Sequence, residues 1–130
     1  MFDSINKTIL VGNVGNEPET RTFADGGMIT RFSVATNSSW KDKDSGERKS
    51  RTEWHNVEVR SKGLAKLAAE WVRKGSNVYI EGESRTEKFT DREGIERYAT
   101  KVHVGAYGGT VRLLDSKADV EARDRQDMAA

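Results

Sequence analysis

The chain has 130 residues, 35% hydrophobic and 33% charged, enough for one small core and not comfortably for two domains. It has no cysteine and only two histidines, His55 and His103. That excludes a disulfide framework and a thiolate metal site, and leaves too few imidazoles for most metal centres. Net charge is +1, unevenly spread: residues 1–114 carry 19 Lys and Arg against 16 Asp and Glu, and residues 115–130 carry three against five. A mildly basic body precedes a mildly acidic tail.

No apolar run approaches a membrane span. The N-terminus lacks the basic and apolar regions of a secretory signal, so a cytoplasmic, reducing setting is the expectation.

Residues Ile5 to Val14 mix β-branched side chains with glycine and read as a strand with a bend. A turn at Asn16-Glu17-Pro18 precedes a short return from Glu19 to Phe23, and Asp25-Gly26-Gly27 signals another turn. Met28 to Thr36 reads as a strand with Phe32 and Val34 on one face. The polar stretch Lys41 to Ser50 is the tip of a long hairpin, either a solvated loop or a finger that contacts nucleic acid.

Thr52 to Arg60 is a strand whose alternation is informative. His55, Val57 and Val59 share one face, and Trp54, Asn56, Glu58 and Arg60 the other. Core packing therefore does not account for Trp54. Leu64 to Lys74 is the one helix, with Leu64, Leu67, Ala68, Trp71 and Val72 as its buried stripe. Arg73 and Lys74 suit its C-terminal dipole and Gly75 ends it, so Trp71 is expected in the core. Ser76 to Phe89 is a long strand with Val78, Ile80 and Gly82 on one face. Ile95 to Tyr107 returns from the turn at Asp91-Arg92-Glu93-Gly94, and Thr110 to Leu114 is a last short strand. The remainder lacks apolar periodicity.

Three strands, a helix and two strands predict an all-β chain with one helix: an OB-fold, the five-stranded Greek-key barrel, with long hairpins. The expected domain is residues 1–114, followed by a short flexible tail over 115–130.

Trp40, Trp54 and Phe89 all sit among charged residues on or beside strands. Bases of single-stranded nucleic acid stack on such rings while Lys and Arg take the phosphates. No phosphate loop, histidine pair at ligand spacing, or nucleophile with an obvious base is present, so the chain is expected not to be an enzyme and to need no cofactor or metal. Asp42, Asp44 and Glu47 form the one dense carboxylate set, better read as a mixed-charge loop than as a nuclease metal site.

Asn6-Lys7-Thr8-Ile9-Leu10-Val11-Gly12-Asn13-Val14-Gly15, Phe32-Ser33-Val34-Ala35-Thr36, Thr52-Glu53-Trp54-His55, Arg73 to Gly82 and Arg97-Tyr98 together resemble the bacterial-type single-stranded DNA-binding protein (SSB) family, from about Ile5 to Leu114. The resemblance implies an OB-fold homotetramer that wraps and protects single-stranded DNA, without catalysis, in replication, recombination and repair. It implies base stacking at Trp40, Trp54 and Phe89, and at Arg60, which stands where the family has an aromatic. It implies phosphate contacts at Lys7, Arg21, Lys43, Lys62, Lys74, Arg85, Lys88 and Arg97, and a subunit contact at His55. Asn56, Glu58 and Glu87 depart from the family toward weaker electrostatics, with Glu58 adding negative charge to the Trp54 face.

The family's glycine- and proline-rich linker and acidic tip have no counterpart at Arg125 to Ala130. The chain is thus expected to be a shortened or naturally short member, nucleoid-associated in a cell or, if viral or plasmid-borne, in its host's cytoplasm. Replication and repair proteins stay as candidate partners without that tip. Two other readings stay open: a dimeric docking module resembling primosomal proteins of this superfamily, and an RNA-binding OB-fold.

Overall fold

The structure is a computed structural model that describes residues 3–115. The expected tail lies, from residue 116 on, outside the described residues. The described elements run β1 (Thr8–Val14), β2 (Glu19–Thr22), β3 (Met28–Lys41), β4 (Arg48–Val59), α1 (Lys62–Trp71), β5 (Asn77–Thr90), β6 (Glu96–Val104) and β7 (Thr110–Leu113).

Five strands close into a ring. β1 pairs antiparallel with both β3 and β5, β3 with β4, and β5 with β6, and a parallel β4–β6 pairing seals the barrel. β2 and β7 are short additions, on β3 and β5. This is the expected OB-fold barrel. Closure leaves the five ring strands no free edge over their paired length.

The core follows from strand alternation. Phe32 and Val34 of β3, Val57 and Val59 of β4, Val78 and Ile80 of β5, and Val102 and Val104 of β6 all point inward and are buried. Thr30 is a buried polar residue on the inward face of β3, and its hydroxyl donates to the Ala65 carbonyl at 2.8 Å, tying the helix to the barrel.

The helix departs from expectation. Its buried residues are Ala65 and Ala68, with Val72 buried just past its end and Leu64 packed beside them, while Leu67 and Trp71 are 37% and 47% exposed. The stripe keeps Leu64, Ala68 and Val72 but turns toward Ala65 and away from Leu67 and Trp71, because small alanines let the helix sit close on the barrel. Trp71 is therefore not core. The helix ends at Trp71, so Arg73 and Lys74 lie beyond it. Arg73 still caps the end, donating from Nη1 to the Val72 carbonyl at 3.0 Å.

β3 and β4 run past the barrel as a two-stranded arm in unbroken register from Thr30↔Val59 to Lys41↔Arg48. β5 and β6 form a second arm, from Glu83↔His103 to Thr90↔Glu96. Gly46 and Gly94 turn the two tips at φ 73° and 81°, a region costly for other residues. At the second tip Asp91 accepts the backbone N–H groups of Glu93 and Ile95, each at 2.9 Å.

Candidate nucleic-acid interface

Between the two arms lies a groove of about 480 Å³. β3 and β4 supply Arg31, Ser33, Asn56 and Glu58, and β5 and β6 supply Glu87, Phe89, Ala99, Thr100 and Lys101. All of these but Thr100 are outward positions of strands whose inward positions make the core, so the alternation that builds the barrel also builds the groove.

Trp54 borders this groove on the same face of β4 as Asn56 and Glu58, and is 61% exposed. Its six-membered ring closes over Gly15, and Ser33 of the groove wall is also close to Gly15. Asn16 holds that wall, accepting the Ser33 N–H at 2.9 Å and its hydroxyl at 2.7 Å. Phe89 lines the opposite wall at 46% exposure. One ring thus lines the groove and a second stands at its border, each about half exposed.

Trp40 is not brought to this groove. It lies on β3 itself rather than in a loop, paired with Lys49. Trp54 pairs with Ala35, five residues earlier on β3. An odd separation reverses the face, so Trp40 lies on the other side of the arm, at 47% exposure.

Arg60, just past the end of β4, continues the alternation of the Trp54 face, and its Nε donates to Glu58 Oε1. Glu58 does not present open negative charge, contrary to expectation. It is 2% exposed, and Arg31 Nε at 3.1 Å and Lys101 Nζ at 2.7 Å donate to its Oε2. Burial alone pushes its carboxyl up, but Lys101 and Arg60 outweigh that and hold its pKa down at about 2. Glu87 is likewise engaged, with Lys101 at 2.8 Å.

The expected phosphate contacts divide in two. Lys7, Arg85, Lys88 and Arg97 are paired with Glu81, Glu83, Glu96 and Asp91. Arg21, Lys43, Lys62 and Lys74 make no ion pair among the described residues and are exposed. Arg97 pairs across from Phe89 and shares its face, whereas Lys88 faces the other way. His55 is half-buried, its Nε2 2.9 Å from the Thr36 hydroxyl. In the carboxylate set, Asp42 is occupied by the Asp44 N–H and Lys49.

Sequence reasoning missed Arg31 and Lys101. Arg31 stands opposite Glu58 in the β3–β4 register, and His103, two residues beyond Lys101, stands opposite Glu58 in the parallel pairing. That three-strand convergence has no local signature in the sequence.

A solved structure of Plasmodium falciparum SSB in complex with ssDNA is similar, with a TM-score of 0.80 and 32% identity over 88% of this chain and 99% of that one. Residues 5–112 match the single-strand binding protein family. With the closed barrel, the two arms and the ring-bordered groove, this match shows that the chain belongs to the single-strand binding protein family.

Proposed function

We propose that the chain binds single-stranded DNA in the groove between its arms, without catalysis, and protects it during replication, recombination and repair. The observation that carries this reading is the placement of two half-bare rings at one groove, Phe89 in its lining and Trp54 at its border, next along the β4 face that supplies Asn56 and Glu58. Bases stack on them at roughly 1–3 kcal/mol each, and stacking does not read sequence. Exposed cations, Arg21, Lys43, Lys62 and Lys74 foremost, take phosphates along the way. Lys7, Arg85, Lys88 and Arg97 join by exchanging a carboxylate partner for a phosphate. Trp40 is reached by a strand that passes over the β3–β4 arm. Duplex DNA, whose bases already stack on each other, is excluded.

The protein is inferred to work as a homotetramer. Ile9 and Val11 are 53% and 52% exposed on the outer face of β1, beside Tyr79 of β5, and form an apolar strip of the kind that a second copy covers. His55 is assigned to a subunit contact. Among the described residues no helix is long and apolar enough to cross a membrane.

Competition binding tests the reading. Labelled oligo-dT should be displaced by unlabelled single strands of mixed sequence and not by duplex. Displacement by duplex at equal concentration would contradict it. Solution mass separates the tetramer from the dimer of a docking module.

A further inference from the structure

Glu58 is the one charged residue among the described residues that is fully enclosed, and it lies on the outer face of β4 rather than in the core. Three cations from three strands converge on it: Arg31 of β3, Arg60 just past β4 and Lys101 of β6. Lys101 is itself 15% exposed and shared with Glu87, so it completes the floor. The two arginines differ from it. Each spends its Nε on Glu58, and their side chains stay 54% and 45% exposed. Their η nitrogens take no hydrogen bond among the described residues.

A guanidinium is planar, with its donors in a rigid fork. Tethered at Nε, it loses freedom to swing while its face stays open to solvent. Trp54, Glu58 and Arg60 share one face of β4, and Arg31 shares it from across the register. The tethered planes therefore continue the surface that Trp54 begins.

Local charge decides what these planes meet. Arg31, Arg60 and Lys101 are matched by Glu58, by Glu87, and by Glu19, which pairs across from Arg31 and lines the same groove. Three against three leaves little net field to draw a phosphate, whereas a neutralised plane suits the face of a base. We propose that Glu58 is a positioning residue that holds Arg31 as a flat platform for a base of the bound strand, beside Arg60, where the family resemblance already implies stacking. This rests on the single-stranded DNA reading above and names a further base contact of that site.

The test measures oligo-dT affinity and its salt dependence for the full chain and for Arg31→Ala, Arg31→Lys, Arg60→Lys and Glu58→Gln. Arg31→Lys keeps the charge and removes the plane. Its expected loss equals that of Arg31→Ala, about five-fold or more, with the slope of log affinity against log salt unchanged in both. Arg60→Lys is expected to behave like Arg31→Lys. Glu58→Gln raises the net charge by one, yet is expected to weaken binding by a similar factor. Adding Arg31→Ala to Glu58→Gln then costs less than Arg31→Ala alone.

Full affinity in Arg31→Lys, or a slope shallower by about 0.7 in Arg31→Ala, would identify a phosphate contact and overturn the proposal. Unchanged or tighter binding in Glu58→Gln would overturn the positioning role. If Glu58→Gln does not fold, the variants at the exposed Arg31 and Arg60 decide. Trp54→Ala separates the two levels. Loss there with none at the arginines removes the platforms and keeps the DNA reading, while no binding by the unaltered chain removes both.

Discussion

Trp54 closes over Gly15 so tightly that a Cβ at residue 15 would fall 2.8 Å from its Cη2, with Cζ3 nearer still. Gly15 thus sets the pose of the most exposed tryptophan at the groove. Gly15→Ala is expected to push the ring aside and weaken oligo-dT binding several-fold with little loss of stability. Equal affinity, with the ring displaced in a structure of the variant, would show that the pose is irrelevant.

The two candidate tryptophans are not equivalent, because Trp54 borders the groove and Trp40 lies on the other side of the arm. Trp54→Ala is expected to cost about 1–3 kcal/mol of binding free energy, the worth of one stacked base. Trp40→Ala should cost less, with the shortfall greatest on oligonucleotides too short to pass over the arm. A titration series against oligonucleotide length checks this, and a larger loss at Trp40 on the shortest strands would reverse the assignment.

Glu58 links stability to pH. Its carboxyl is held at about 2 in the folded chain against an ordinary 4.5. The group therefore binds its proton more readily when unfolded. Its stabilisation is fully present above pH 4.5 and is lost as pH falls from 4.5 toward 2. The shift corresponds to at most on the order of 3 kcal/mol. Denaturant unfolding from pH 6 to pH 2.5 should show stability falling through that window. Glu58→Gln should flatten this fall, and an equally steep fall in the variant would assign it to other carboxylates.

Two glycines sit where strands of the barrel cross closely. A Cβ at Gly82 would lie 2.5 Å from the His103 carbonyl oxygen, and one at Gly12 would strike that of Ala35. Backbone cannot yield as a flexible side chain does, so Gly82→Ala and Gly12→Ala are expected to cost about 1–3 kcal/mol each. The midpoint of urea unfolding measures this, and an unshifted midpoint would mean the strands separate freely.

The barrel was legible because its signals are local. Alternation along β4 placed Val57 and Val59 inside and Trp54 outside, and the structure agrees. The helix was legible as a helix but not in its rotation. Leu64, Ala68 and Val72 of the expected stripe do face the barrel, but Leu67 and Trp71 extend the same spacing on one side and Ala65 on the other, and close approach of the alanines put Ala65 inside. The face of Trp40 was not legible because β3 runs to Lys41 rather than ending at Thr36, and only parity carried along those added residues puts it on the far face. Glu58 looked like a liability because its partners come from β3 and β6, and only the closed sheet brings them together.

Whether bases meet the rings at the groove is read by tryptophan fluorescence during titration with oligo-dT at low and high salt. Trp71, exposed on the helix, adds a constant background that Trp54→Ala in parallel isolates. Strong quenching at low salt, weaker binding at high salt, no effect of duplex competitor, and loss of most of the quenching in Trp54→Ala are expected. Absence of quenching at low salt would contradict the stacking reading, because the rings would then not meet bases.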